Sequence, residues 1–156
     1  MGIRLATAED TKDILRLLIQ VNNVHAKLRP DLFIMDKTKY DEESLRKIIS
    51  DPQKPIFVCI NENGELCGYG FCLIQKWEGN NLVSHKSIYI DDICVDEAHR
   101  KSHVATSIYE YIVGWARENG FYNITLNVWD GNEPAIAFYS KKCGMTVQKT
   151  VMEQIL

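Results

Sequence analysis

The segment "IYIDDICV" running into "DEAHRKSHVATSIYEYI", residues 88–112, narrows the fold more than any other part of the chain. An apolar, β-branched run ends at Val95 and a short basic turn follows. Apolar residues then recur at helical spacing, with Ile108, Ile112, Trp115 and Ala116 on one side of a helix from about Val104 to Glu118. Gly120 stands where a helix stop is expected, and "YNITLNVW" (122–129) resumes a strand pattern. Strand, helix and strand over residues 84–129 form a crossover, which makes that part of the sheet parallel.

The remaining segments fill in the order. "IRLAT" (3–7) is a short strand, and Thr7 can cap a helix whose apolar positions are Ile14, Leu17, Leu18 and Val21. Residues 27–40 contain Pro30 and no clear period, so they form a loop. "DEESLRKIIS" (41–50) is a second short helix, closed by Pro52 and Pro55. Residues 55–77 are a hairpin turning at Gly64, and 82–95 are a long strand. "NEPAIAFYSKKCG" (132–144) is a helix with Asn132 as cap and Pro134 in its first turn. "MTVQKTVMEQIL" (145–156) is expected as a final strand. The order β-αα-βββ-α-β-α-β gives an α/β (α+β) fold: a mixed, mostly antiparallel central sheet with helices on both faces.

At 156 residues the chain fits one domain, 1–156. Its net charge of −3 offers no basic surplus, which argues against nucleic acid as a partner. Its five cysteines (Cys59, Cys67, Cys72, Cys94, Cys143) are odd in number and lack C-x-x-C spacing, against a zinc site or disulfide scaffold and for a reducing compartment. No apolar run approaches the ~18 residues of a membrane span, and no leader pattern opens the chain. A soluble cytoplasmic protein is expected.

A helix N-terminus favours an anion, because its first N–H groups lack acceptors and carry partial positive charge. Here Arg100 and Lys101 add charge, Ser102 is a candidate N-cap, and successive main-chain N–H groups can form a nest for phosphate oxygens. His99 and His103 have no third ligand beside them, so no metal is expected. Asp91 and Asp92 sit inside a strand that otherwise reads as buried, where an unpaired carboxylate is costly. Strict alternation places Asp91 with Tyr89 and Ile93 on one face, and Asp92 with Ile90 and Cys94 on the other.

Together these residues resemble the GNAT superfamily of acetyl-CoA-dependent N-acetyltransferases. That family carries a turn (Q/R)-x-x-G-x-(G/A) between a strand and a helix, matched here by Arg100-Lys101-Ser102-His103-Val104-Ala105. It later carries N-x-x-A-x-x-(F/L)-Y-x-K-x-G, similar to Asn132 through Gly144, with one additional residue before the Gly. The element order matches along the whole chain, and "IYIDDICV" and "WDGNEPAIAFY" are similar to stretches of the spermidine/spermine acetyltransferase branch. One departure is His103, where the family's turn has its first Gly; His accepts a positive φ better than most side chains.

The resemblance implies direct acetyl transfer from acetyl-CoA to an amine, without a metal. Residues Arg100, Lys101, Ser102, His103, Val104 and Ala105 would hold the pyrophosphate, and Ile93, Cys94 and Val95 would offer a strand edge to the pantetheine arm. Asn132 would contact that arm. Asp91, or Asp92, would take the amine's proton, and Tyr139 would protonate the departing thiolate. His25, Arg29 and Asp31, in the weakly patterned region 22–40, are candidates for the acceptor side. The implied partners are acetyl-CoA and an amine, with a homodimer compatible with the family. A non-catalytic acyl-CoA-binding module with an altered turn is the alternative.

Overall fold

The computed structural model describes residues 1–100 and 102–156. Strand β1 (Gly2–Leu5) leads through a 3-10 turn, Ala8–Asp10, into helix α1 (Thr11–Leu28). The Asp10 carboxylate locks that corner: it accepts the Thr7 N–H at 2.7 Å and two Arg4 guanidinium bonds at 2.7 and 2.9 Å. Helix α2 (Glu42–Ile49) is capped by Asp41, which accepts the Ser44 N–H at 2.7 Å. Strands β2 (Ile56–Ile60), β3 (Leu66–Trp77) and β4 (His85–Val95) follow, then helix α3 (Val104–Glu118) and strand β5 (Asn123–Leu126).

The sheet runs β1-β2-β3-β4-β5; every pair is antiparallel except β4–β5, which is parallel as the crossover requires. Alternation splits the core in two. Val58, Tyr69 and Phe71 pack under Ile14, Leu17 and Leu18 of α1 and Leu45 of α2. Phe57, Cys59, Cys72, Ile88 and Ile90 pack under Val104, Ile108 and Ile112 of α3. Helices therefore cover both faces. Cys59, Cys67, Cys72 and Cys94 are buried as free thiols, and Cys143 is half-buried. Among the described residues no helix is long and apolar enough to cross a membrane.

The C-terminal third departs from expectation twice. The helix after Asn132 is α-helical only over Glu133–Ala137 (α4) and then becomes a π-turn, Phe138–Lys142. The Cys143 N–H donates to the Phe138 carbonyl at 3.0 Å, an i to i+5 bond. A π-turn holds one residue more than an α-turn, so it absorbs the additional residue before Gly144. The final strand expected over 145–156 does not form: this segment pairs with no strand of its own chain, and residues 148–156 are all exposed. A strand is defined by pairing, and among the described residues 145–156 pairs with neither open edge of the sheet, that of β1 or that of β5.

Helix α3 lies so close to β3 that only glycine fits beneath it. A Cβ on Gly68 would stand 2.7 Å from the Cys94 carbonyl oxygen and 3.0 Å from Val104 Cγ1. One on Gly70 would meet side chains alone, Ile112 Cδ1 at 2.7 Å and Ile108 Cγ2 at 2.8 Å. Backbone cannot swing aside as a side chain can. Gly68→Ala should cost about 1–3 kcal/mol, and more than Gly70→Ala, in urea unfolding; an unchanged midpoint for Gly68→Ala would refute this close approach.

Candidate active site

The site begins with a defect in β4. Opposite β3, Phe71 pairs with Asp92 and Cys72 with Ile90, leaving Asp91 as an extra residue in a β-bulge. The bulge resets alternation. Before it, Ile88 and Ile90 face α3; after it, Cys94 faces α1 and its thiol donates to the Leu17 carbonyl. The expectation of opposite faces for Asp91 and Asp92 is thereby overturned: both carboxylates reach the same ammonium, that of Lys39. The Asp92 contact is 3.3 Å and the Asp91 contact is closer.

Lys39 comes from the segment between α1 and α2. Asn22 Nδ2 donates to the Ile34 carbonyl at 2.7 Å, and Asn23 brackets Asp36 with two bonds of 2.8 Å, where the backbone is left-handed at φ 56°. The Lys39 nitrogen also lies 5.4 Å from the Tyr40 ring centroid and 5.6 Å from that of Phe71, within cation–π range. Burial works against this ammonium, but Asp92 and Asp91 outweigh it and leave its pKa above the ordinary lysine value. Asp92 is only 8% exposed in its side chain, and desolvation raises its pKa despite the pull of Lys39. Half-buried His25 feels the same group. Burial lowers its pKa, against the pull of Asp92, so the ring is neutral near pH 7.

Around this centre lie aromatic side chains. Phe33 contacts His25 at 5.2 Å and Trp129 at 5.6 Å between ring centroids, and the Arg29 guanidinium lies 5.6 Å above Trp129. Arg29 and Asp31 satisfy each other through bonds of 2.9 and 2.7 Å, and Arg29 also holds Glu153 at 2.9 Å. Of the three acceptor-side candidates, then, His25 feels the charges of Asp92 and Asp91, whereas Arg29 lies over Trp129 and Asp31 pairs with Arg29. The fully buried Tyr69 hydroxyl has no hydrogen-bond partner among the described residues. Desolvation, then the charge of Asp92, raises its pKa well above 10.

The same bulge opens the sheet. Pairing of β4 with β5 stops at Ile90–Leu126, so among the described residues the β5-facing edge of Ile93, Cys94 and Val95 carries no strand. The turn beyond is fixed by Asp96. Burial acts against this carboxylate, but an ion pair with Arg16 and a 3.1 Å bond from the Ala98 N–H hold its pKa below the ordinary range.

His103 sits at φ 62°, ψ 7° immediately before α3. A left-handed residue followed by a right-handed one turns successive N–H groups inward. The first helical bond is Ser107 N–H to the His103 carbonyl, so Val104, Ala105 and Thr106 have no helical acceptors. Ser102 does not cap the helix; its hydroxyl donates to the His99 carbonyl. Arg100 pairs with Glu97 at 3.2 Å, and Lys101 lies outside the described residues.

A cavity of about 320 Å³ adjoins this turn, lined by Val95, His99, Arg100, His103, Val104 and Phe138. The His99 Nδ1 is buried there without a partner among the described residues. The turn and the end of the open strand edge, at Val95, line this one cavity, which suits an anionic ligand. Asn132 caps α4, its Oδ1 accepting the Ala135 N–H at 3.4 Å. Half-buried Tyr139 packs on Phe138 at 5.1 Å. Desolvation, then Cys143 and Asp92, raises its pKa, so the phenol keeps its proton.

Lys39, Tyr40, Phe71 and Trp129 were not singled out by sequence reasoning. The cue was present for Lys39 alone, in the "KTKY" of the unpatterned loop, because a carboxylate pair inside a strand calls for a cation.

Comparison with known proteins accords with this geometry. The family model described as the acetyltransferase (GNAT) family matches residues 21–145. A tetramutant of the BH1408 protein from Bacillus halodurans superposes with a TM-score of 0.93 at 29% identity, over 100% of both chains. A Trypanosoma brucei acetyltransferase gives a TM-score of 0.71 at 18% identity, over 99% of each chain. An aminoglycoside acetyltransferase from an uncultured soil metagenomic sample gives 0.69 at 20% identity, over 99% of this chain and 96% of that one. These last two speak to the fold alone. No curated protein sequence matches. With a family model spanning most of its length and a sheet opened at β4, this chain belongs to the GNAT acetyltransferase family.

Proposed function

We propose that this chain is a single-domain, cytoplasmic N-acetyltransferase whose acceptor is a primary alkylamine that reaches the site as an ammonium. One observation carries the reading: a primary ammonium on a flexible alkyl stem, that of Lys39, already rests on Asp91 and Asp92 with Tyr40 and Phe71 beside it. Carboxylates and ring faces are the groups that hold such a cation. The free thiols fit a reducing compartment.

Bound acetyl-CoA would supply the acyl group as a thioester. The main-chain N–H groups at His103, Val104 and Ala105, with Arg100 beside them, would hold its diphosphate, and the open edge of Ile93–Val95 would align its arm. An alkylammonium of pKa ~10.4 cannot attack until it loses a proton. Asp92 is the better base, because burial raises its pKa and so strengthens it as an acceptor. More exposed Asp91 keeps the ammonium in place. As nitrogen bonds to the acyl carbon and the carbon–sulfur bond breaks, Tyr139 donates its phenolic proton toward the departing sulfur. The Val95 N–H is positioned by the strand edge to receive the acyl oxygen. His25 lines the acceptor side as a neutral ring.

With an alkylamine panel and acetyl-CoA, mass spectrometry should find the acetylated amine. Asp92→Asn and Tyr139→Phe should each lower kcat about 100-fold, while calorimetry shows unchanged acetyl-CoA affinity. Coenzyme binding with no product from any amine would replace the enzyme by an acyl-CoA-binding module.

The acid limb follows from the same charges. Asp92 must be ionised to act, so kcat/KM falls as pH drops through its pKa, above the usual aspartate value. Lys39 lowers that pKa. Lys39→Met should therefore shift the limb toward higher pH. A limb that stays in place, or moves lower, would remove either Asp92 as base or Lys39 as its counter-ion.

A further inference from the structure

Among the described residues, Lys39 is set apart from the other paired lysines. Lys47 and Lys54 meet carboxylates close by in sequence, Glu43 and Asp51. Lys39 instead reaches across 52 and 53 positions to rest on Asp91 and Asp92. Its neighbour in the chain is anchored, because the Tyr40 ring stacks on Phe71 at 5.8 Å between centroids and 17° between planes. Its own side chain is still 44% exposed. The ammonium is thus held at the acid pair and remains reachable.

The base and the acid of the transfer are its neighbours. Asp92 lies 3.3 Å from the Lys39 nitrogen, and Tyr139 feels the charge of the same carboxylate. Nucleophile, base and acid are arranged around one group, and no external amine is needed to complete the set.

We infer that Lys39 is a self-acetylation site: when acetyl-CoA is bound and no amine competes, the chain transfers the acetyl group to its own Lys39 nitrogen.

This rests on the N-acetyltransferase reading above and adds a second acceptor to the same site. The step balances without a further reactant. Lys39 gives one proton to Asp92, and the nitrogen lone pair bonds to the acyl carbon. The carbon–sulfur bond breaks with its electron pair on sulfur, which takes the Tyr139 proton. The second proton of the new amide nitrogen restores the phenol, and Asp92 releases the first to water. The products are an acetylated lysine, the coenzyme thiol and one proton. An arginine at position 39 would neutralise the same carboxylates but could not lose its proton, whereas a lysine can neutralise and attack. The acetylated side chain is a neutral amide, so Asp91 and Asp92 lose the cation that an incoming ammonium must displace.

The test incubates the full chain with acetyl-CoA and no amine, and follows it by intact-mass and peptide mass spectrometry. One acetyl group per chain should appear, on Lys39, at a rate independent of protein concentration, as transfer within one chain requires. Exposed Lys47 reports uncatalysed acetylation in the same sample, and Lys39 should exceed it about 100-fold or more. Asp92→Asn and Tyr139→Phe should each slow Lys39 modification about 100-fold, and an added alkylamine should slow it in the wild-type chain. An alkylamine that is turned over while Lys39 stays unmodified overturns the inference and leaves the transferase reading standing. Modification of Lys39 no faster than that of Lys47, or undiminished by both substitutions, overturns it as well. Coenzyme binding with neither product overturns both. Acetylated Lys39 with no product from any amine supports the inference and removes the external alkylamine as acceptor.

Discussion

A single extra residue in one strand organises the centre of this molecule. The bulge at Asp91 shifts the side-chain phase of β4 by one, so two consecutive carboxylates converge where alternation would have separated them. It also ends the pairing of β4 with β5, which leaves the following main-chain edge open. Charge and opening thus have one cause. A regular β4 would point one of the two aspartates toward the α3 face, into a layer of Ile88, Ile90 and Ile108 with no cation among them. It would also let β5 cover the edge that an extended ligand needs.

Two like charges held this close require compensation, and the loop between α1 and α2 provides it. The loop lacks regular structure but is not loose, because Asn22 and Asn23 clamp it to α1 and deliver Lys39. An ammonium with a raised pKa beside a carboxylate with a raised pKa is a consistent pair. Desolvation opposes both charges, and their mutual attraction prevails for the lysine but not for Asp92. Such a pair is held by electrostatics at modest depth, where an incoming cation can compete for the carboxylates. The neutral His25 and the rings of Phe33, Tyr40 and Trp129 keep that neighbourhood largely apolar, which strengthens the electrostatics within it.

Much of this was legible from residue order. Apolar spacing of Ile14, Leu17 and Leu18, and of Ile108 and Ile112, located two helices and their buried faces, and Gly64 located the hairpin. The basic turn before α3 was legible because strand, charge and helix follow one another directly. What escaped are the irregularities. Alternation assumes regular pleating, so it cannot show a bulge whose only trace is its register against β3. The π-turn appeared in sequence as a one-residue mismatch near Gly144, without its remedy. The strand pattern of 145–156 is present in the sequence, yet among the described residues the segment pairs with no strand, because alternation alone does not say which edge, if any, a segment joins. Lys39 was hidden because a loop residue meets Asp91 and Asp92 through folding, 52 and 53 positions away.

The central claim is that a substrate ammonium and Lys39 compete for one pair of carboxylates. Selective NMR of the Lys39 side chain, followed through its Cε and Nζ resonances, tests it directly when an acetylatable alkylamine is titrated into protein saturated with desulfo-coenzyme A, which cannot carry an acyl group. Competition predicts that the Lys39 signals move toward those of a free surface lysine in step with amine binding. An amine that binds and is later acetylated in the presence of acetyl-CoA, yet leaves those signals unmoved, would contradict the account.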